Sequence, residues 1–297
     1  MTVTVHSFEA SAKEARSLAQ ALGVAFSLVH CRHFPDGESL VRVERSLPVA
    51  ILYCSLDRPN EKLVELMLAA AAMRENGAGR LILVAPYLAY MRQDMAFHPG
   101  EAVSQKVIGK FIADHFDALV TVDPHLHRTA SLQQIMPGIA TRIVPAAGTL
   151  SATLASDATP DTLLVGPDTE SRPWVEEVAA PLGLQVLVGA KRRLGDRDVD
   201  LSIANVEMAA GRPVILVDDL ISSGATLLRC AALARAAGAR RIEVLATHCL
   251  AGQADLQALL AGGIARVRST DTVPGPTAAV SMVPAIAAAL RGLIGST

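Results

Sequence analysis

Residues 212–238, RPVILVDDLISSGATLLRCAALARAAG, set two carboxylates, Asp218 and Asp219, side by side after a short apolar run. Adjacent like charges repel, so keeping both ionised calls for a hydroxyl-rich ligand, a cation or open solvent. Ser222, Ser223, Gly224, Ala225 and Thr226 follow, small or hydroxyl-bearing residues that lead into a helical pattern. Such a loop can wrap a phosphate with backbone N–H groups and hydroxyls, while the helix N-terminus adds partial positive charge. The neighbouring carboxylates can accept hydrogen bonds from sugar hydroxyls. The combination suits a 5-phosphorylated ribose. A capped helix behind a strand would account for Ser222 or Thr226, but not for two adjacent acids. The loop has neither the GxxxxGK[ST] nor the GxGxxG pattern, which excludes the P-loop and dinucleotide-binding readings.

Other apolar runs also finish in polar groups: RLILVAPYLAYMRQD (80–94), LVTVDPH (119–125) and LLVGPD (163–168). In open α/β sheets ligands bind beyond the carboxyl ends of the strands, so these groups are candidates for a cleft. The plain alternative for each acid is a turn residue or a helix cap. His125 and His127, two apart, can face the same way at a strand end, as in a transition-metal site; a structural histidine bonded to backbone is the alternative for His127. FPDGE (34–38) is a type I or II turn signal in its own right. The basic residues of AKRRLGDRDVDL (190–201) read by themselves as a solvated surface.

The elements that must position these groups alternate between β-branched apolar runs and alanine- and leucine-rich helical patterns. Strand 49–55, helix 60–77 and strand 80–86 form one such unit; strands 161–167 and 213–217 precede helices 171–183 and 226–238. This is the α/β signature of a parallel sheet flanked by helices. Half the residues are apolar and 3% aromatic, which suits helices on a buried sheet and argues against an all-β chain. At 297 residues two domains are expected. The predicted division is 1–145, then 146–278, with a terminal helix (about 279–292) and the rest of 279–297 packing back on the first domain; the boundary falls near the small-residue stretch 145–161.

A net charge of −2 leaves no electrostatic footprint for nucleic acid or an anionic membrane, so a small-molecule partner is expected. Cys31, Cys54, Cys230 and Cys249 are widely spaced without CxxC, so their spacing indicates buried free thiols, not a zinc site or a disulfide framework. The first residues lack a basic region followed by an apolar stretch, and the apolar segment near residue 290 is broken by Ser281, Pro284 and Arg291; a cytoplasmic protein without a membrane span is expected.

The DDLISSGAT segment closely resembles the phosphoribosyl-pyrophosphate loop shared by type I phosphoribosyltransferases and ribose-phosphate pyrophosphokinases. The remaining segments separate the two. FPDGESLVRV, PYLAYMRQD, GEAVSQKVIGKFI, TVDPH, GPD and TDTVPGP resemble blocks of the pyrophosphokinase family in order along nearly the whole chain. Ser222, where many members carry an acid, makes the loop more similar to the archaeal-type branch. The resemblance implies two similar phosphoribosyltransferase-type domains. The implied reaction is transfer of the β,γ-diphosphoryl group of ATP to the anomeric hydroxyl of ribose 5-phosphate, with Mg²⁺.

By the same resemblance, Phe34, Asp36 and Glu38 would hold adenine, in part from a neighbouring subunit of a homo-oligomer, and Arg92, Gln93 and Asp94 would bind ATP. His125 and Asp168 would serve the metal. Lys191 and Arg193, with Arg192 and Arg197 nearby, would close over the triphosphate, and residues 218–226 would hold ribose 5-phosphate. Glu170 departs from the family's small residue and adds charge beside the phosphates. Two other readings stay open: a phosphoribosyltransferase with an added domain, which would need a nucleobase hood, and a non-catalytic pyrophosphokinase-like subunit.

Overall fold

The runs VAILY, RLILV, ALVTV and LLVG are apolar on both strand faces, the pattern of parallel strands covered by helices on either side. The computed structural model describes residues 3–44, 47–126, 128–193 and 199–295, with only the backbone of residues 191–193, 199 and 200. In chain order the elements are β1 (Val3–Ser7), α1 (Ala12–Leu22), β2 (Ala25–Leu28), β3 (His30–His33), β4 (Ser39–Arg42), β5 (Val49–Tyr53), α2 (Pro59–Glu75), β6 (Arg80–Val84), α3 (Ser104–His115), β7 (Ala118–Val122), α4 (Leu132–Ile135) and β8 (Ala140–Val144). There follow α5 (Ala147–Leu154), β9 (Leu163–Gly166), α6 (Arg172–Ala179), β10 (Gln185–Arg193), β11 (Val199–Ile203), β12 (Pro213–Ile221), α7 (Ala225–Ala236), β13 (Arg241–Cys249), α8 (Gln253–Ala261), β14 (Arg266–Thr270), β15 (Ala278–Val280) and α9 (Val283–Ile294).

Two units emerge, one made of residues 1–144 and 282–297, the other of 145–281. In the first, six parallel strands run in the order β2-β1-β5-β6-β7-β8, and β3 and β4 form a separate antiparallel hairpin. Leu52, Leu83 and Leu119 of the sheet pack with Leu66 and Met73 of α2 and Ile112 of α3. Helix α9 lies against α1, β7 and β8. Its buried Val283, Ile286, Ala287, Leu290 and Leu293 recur at helical spacing and form one apolar face. His6 sits level with Leu52, fully buried, and neither ring nitrogen has a hydrogen-bond partner among the described residues. Burial alone pushes its pKa down to about 4.

In the second unit seven strands run β11-β10-β9-β12-β13-β14-β15, all parallel neighbours except the β10–β11 pair. Leu227, Cys230 and Ala231 of α7 and Leu259 of α8 pack on Leu163, Val165, Leu216 and Val244. Helix α6 lies on β9 and β10, with α5 beside it.

The chain passes from the first unit to the second between Val144 and Pro145, and residues 147–154 form helix α5 of the second unit. Two expectations are corrected. Residues 278–280, the first two of the predicted terminal segment included, pair with β14, and the last helix begins at Val283, where Pro284 suits its first turn. Strand β12 continues past Val217 to Ile221. All four cysteines are free thiols; Cys54, Cys230 and Cys249 are buried, whereas Cys31 is only partly so. Among the described residues no helix is long and apolar enough to cross a membrane.

Candidate active site

In the second unit, β12 outruns β9 and keeps pairing with β13 through Leu220 opposite His248 and Ile221 opposite Cys249. Asp218 and Asp219 therefore stand on the extended end of a strand, not in a loop, and their carboxyl groups are close enough to interact directly. The Asp219 N–H donates to Asp218 Oδ1 at 3.0 Å. Ser222 and Ser223 are exposed, and Gly224 turns the chain into α7 with φ +75°. A Cβ at Gly224 would come within 2.8 Å of the Leu259 side chain, so both backbone conformation and packing require glycine here. No side chain caps α7, so the first N–H groups around Ala225 and Thr226 are presented to the loop.

Asp168 follows β9, the parallel neighbour of β12. Its Oδ1 accepts from Ser171 N at 3.2 Å, and Ser171 Oγ donates to the Asp168 carbonyl at 2.6 Å, a reciprocal cap on the 3₁₀ turn Thr169–Ser171. Glu170 is exposed in that turn. Asp168 also acts at a distance: burial first, then the charges of Asp219 and Asp168, hold the Asp218 carboxyl well above its ordinary pKa. This edge of the sheet concentrates more negative charge than it can hold comfortably, and an added cation or hydroxyl donors would relieve it.

Lys191 and Arg193 lie at the end of β10, opposite Leu201 and Val199 of β11. Their side chains, like that of Arg192, and the whole of Arg197 are outside the described residues.

In the first unit, Phe34 to Glu38 close the β3–β4 hairpin. The Gly37 N–H donates to the Phe34 carbonyl at 2.9 Å and the Phe34 N–H to the Glu38 carbonyl at 2.8 Å, with Gly37 at φ +93°. A left-handed glycine in the fourth position marks a type I turn with a bulge, not a type II turn. Phe34 is 37% exposed, and the Arg32 guanidinium lies 4.8 Å from its ring centroid. Asp36 Oδ1 accepts from the Glu38 N–H at 3.2 Å.

Beyond β6, Arg92 is exposed, but the next two residues have internal partners. Gln93 Oε1 accepts from Ser104 Oγ at 2.5 Å at the start of α3. The Asp94 carboxylate, 2% exposed, takes Arg128 Nη1 at 2.8 Å and the Arg128 N–H at 3.2 Å. The RQD segment thus holds the loop after β7, in which His125 is partly buried; His127 is outside the described residues.

Sequence reasoning assigned no role to Arg128, nor to the buried cluster in which His248 Nδ1 meets Thr272 Oγ1 at 2.8 Å and Thr270 Oγ1 donates to the Thr247 carbonyl at 2.6 Å. The cluster's signal in the sequence is TDTVPGP (270–276), where Thr270 and Thr272 flank Asp271 at the end of a strand.

Residues 3–115 match the model for the N-terminal domain of ribose phosphate pyrophosphokinase, and residues 139–261 the phosphoribosyl transferase domain model. The ribose-phosphate pyrophosphokinase of Methanopyrus kandleri is 35% identical to this chain over 95% of this chain and 97% of its own length. The chain belongs to the ribose-phosphate pyrophosphokinase family. The family's enzyme from Pyrococcus furiosus is 31% identical over 87% of this chain and 90% of its own. Both relatives are in keeping with the archaeal-type resemblance of the DDLISSGAT loop. The pyrophosphokinase fold is seen again in the crystal structure of phosphoribosylpyrophosphate synthetase from Mycobacterium smegmatis, which superposes with a TM-score of 0.86 over all of both chains at 23% identity.

Proposed function

We propose that this protein transfers the β,γ-diphosphoryl group of ATP to ribose 5-phosphate, forming phosphoribosyl pyrophosphate and AMP. The observation that carries the reading is the cluster of Asp168, Asp218 and Asp219 charges at the end of β12, which leads through Ser222 and Ser223 into the uncapped start of α7. The α7 N-terminus and the Ser222 and Ser223 hydroxyls take the 5-phosphate, and Asp218 and Asp219 accept from the ribose hydroxyls. That grip orients the anomeric hydroxyl, whose oxygen attacks the β-phosphorus in line. The bond from the β-phosphorus to the oxygen bridging it to the α-phosphorus breaks, AMP leaves, and the hydroxyl proton passes to solvent.

The oxygen donors fit Mg²⁺: the crowding of charge around Asp218 is what a divalent cation offsets, and Asp168 with His125 would serve it. When bound, Mg²⁺ supplies charge neutralisation on the phosphate oxygens. Lys191 and Arg193 bring cationic donors to the transferred group, and Arg92 grips phosphate as a fork. Phe34, with Asp36 and Glu38, receives the adenine; Gln93 and Asp94 support the ATP segment through their internal bonds to Ser104 and Arg128. The same reading makes the protein a cytoplasmic homo-oligomer in which the exposed hairpin turn can serve a neighbouring copy.

A ³¹P NMR time course with ribose 5-phosphate and Mg-ATP tests the reaction. Phosphoribosyl pyrophosphate and AMP should appear together, only when both substrates are present, with the rate reduced about a hundredfold or more in Lys191→Ala. Binding of both substrates without either product would refute it.

A further inference from the structure

On a strand, residues two apart share a face, so Cys31 and His33 of β3 point the same way. Helix α2 packs against this hairpin and delivers Glu65 to that face. Three donors converge on a single carboxylate oxygen: Glu65 Oε1 lies 2.7 Å from His33 Nε2, 3.3 Å from Cys31 Sγ and 3.4 Å from Ser39 Oγ. Cys31 Sγ and His33 Nε2 are 4.0 Å apart. Among the described residues no lysine or arginine pairs with Glu65, whose side chain is only 13% exposed.

We propose that Cys31, His33 and Glu65 form a binding site for a transition-metal cation, with Zn²⁺ the best match, separate from the Mg²⁺-ATP chemistry. A thiolate, an imidazole and a carboxylate are the ligand types Zn²⁺ takes, whereas Mg²⁺ selects oxygen. Tetrahedral coordination with bonds of about 2.0–2.3 Å separates ligand atoms by roughly 3.3–3.7 Å. The observed separations of 2.7, 3.3 and 4.0 Å bracket that range, so small rotations of exposed His33 and of Cys31 would open a centre. The fourth position faces solvent on the His33 side, which is 58% exposed.

Without metal, burial first and then Glu65 push the Cys31 thiol up to about 11, so at neutral pH it is protonated and donates to Glu65. On binding, the Sγ–H bond breaks and its proton goes to solvent, the His33 ring changes tautomer so that its hydrogen sits on Nδ1, and the sulfur and the freed Nε2 lone pair both bond the cation. The site would lock β3 to α2 immediately before Phe34, at the turn end of the hairpin. The cysteines' spacing gives no hint of it, because one ligand comes from a helix 32 residues beyond His33.

The test is titration of the chelator-stripped full-length protein with Co²⁺ in excess Mg²⁺, which fills oxygen sites. One equivalent should produce an intense near-ultraviolet thiolate-to-cobalt band and visible bands of tetrahedral cobalt, both removed by added Zn²⁺. Cys31→Ser keeps a donor to Glu65 and should abolish the near-ultraviolet band. If that variant fails to fold, His33→Gln should weaken Co²⁺ binding at least tenfold. No thiolate band at one equivalent, a band that persists in Cys31→Ser, or unchanged affinity in His33→Gln would each overturn the proposal and leave the cluster as a hydrogen-bonded anchor of the hairpin.

Discussion

At the residue scale the decisive group is Asp218, which combines burial with two like-charged neighbours, Asp219 and Asp168. A carboxyl whose folded pKa is raised keeps its proton longer in the folded than in the unfolded state, so near neutral pH its ionisation costs folding free energy. Asp218→Asn removes that cost. The expected outcome is a higher melting temperature at pH 7 together with ribose 5-phosphate binding weakened roughly 10- to 100-fold, the loss of one charge-assisted hydrogen bond of about 1.5–3 kcal/mol. Thermal melts and calorimetric titration check both halves. An unchanged affinity would remove Asp218 from the sugar site. The acid pair is legible in the sequence because its composition is unusual; the burial of Asp218 is not, since it depends on neighbouring strands. The partners that occupy Gln93 and Asp94 were equally hidden, because Ser104 and Arg128 come from α3 and from the loop after β7.

At the scale of elements, most strands were readable because both of their faces are apolar. The extension of β12 was not, since aspartates disfavour strands and only pairing with β13 overrides that preference. Strand β15, three residues long, is hidden for a related reason: its alanines favour a helix, and only pairing with β14 makes them a strand. The turn into α7 depends on Gly224. Gly224→Ala would place a methyl group against Leu259 and force a left-handed alanine, at a cost of about 1–3 kcal/mol. Denaturant unfolding should report that loss. Ribose 5-phosphate affinity should fall as well, because the first N–H groups of α7 shift. Full stability in the variant would show that α7 and α8 can separate freely.

For the whole molecule, His6 links stability to pH. Its folded pKa of about 4 lies below the ordinary 6.5, so between these values the unfolded chain takes up a proton that the folded chain refuses. Above pH 6.5 there is no penalty; as pH falls from 6.5 to 4, stability should drop by up to about 3 kcal/mol from this group alone. Unfolding free energies measured at intervals across that range should fall less steeply for His6→Leu than for the parent protein. Equal slopes would mean that His6 is protonated in the fold or hydrated.

The return of α9 to the first unit bears on how the protein is made. Its buried Val283, Ile286, Leu290 and Leu293 each contribute about 1.5–3 kcal/mol of burial, and they lie against a helix synthesised some 270 residues earlier, as Arg291 Nη2 bonding the Ala21 carbonyl shows. The second unit is one continuous stretch of chain and can close while still near the ribosome; the first cannot finish until residues 283–294 exist. The amino-terminal half is therefore the last to mature, and during synthesis the faces of α1, β7 and β8 that α9 will cover are open to chaperones or to another nascent chain.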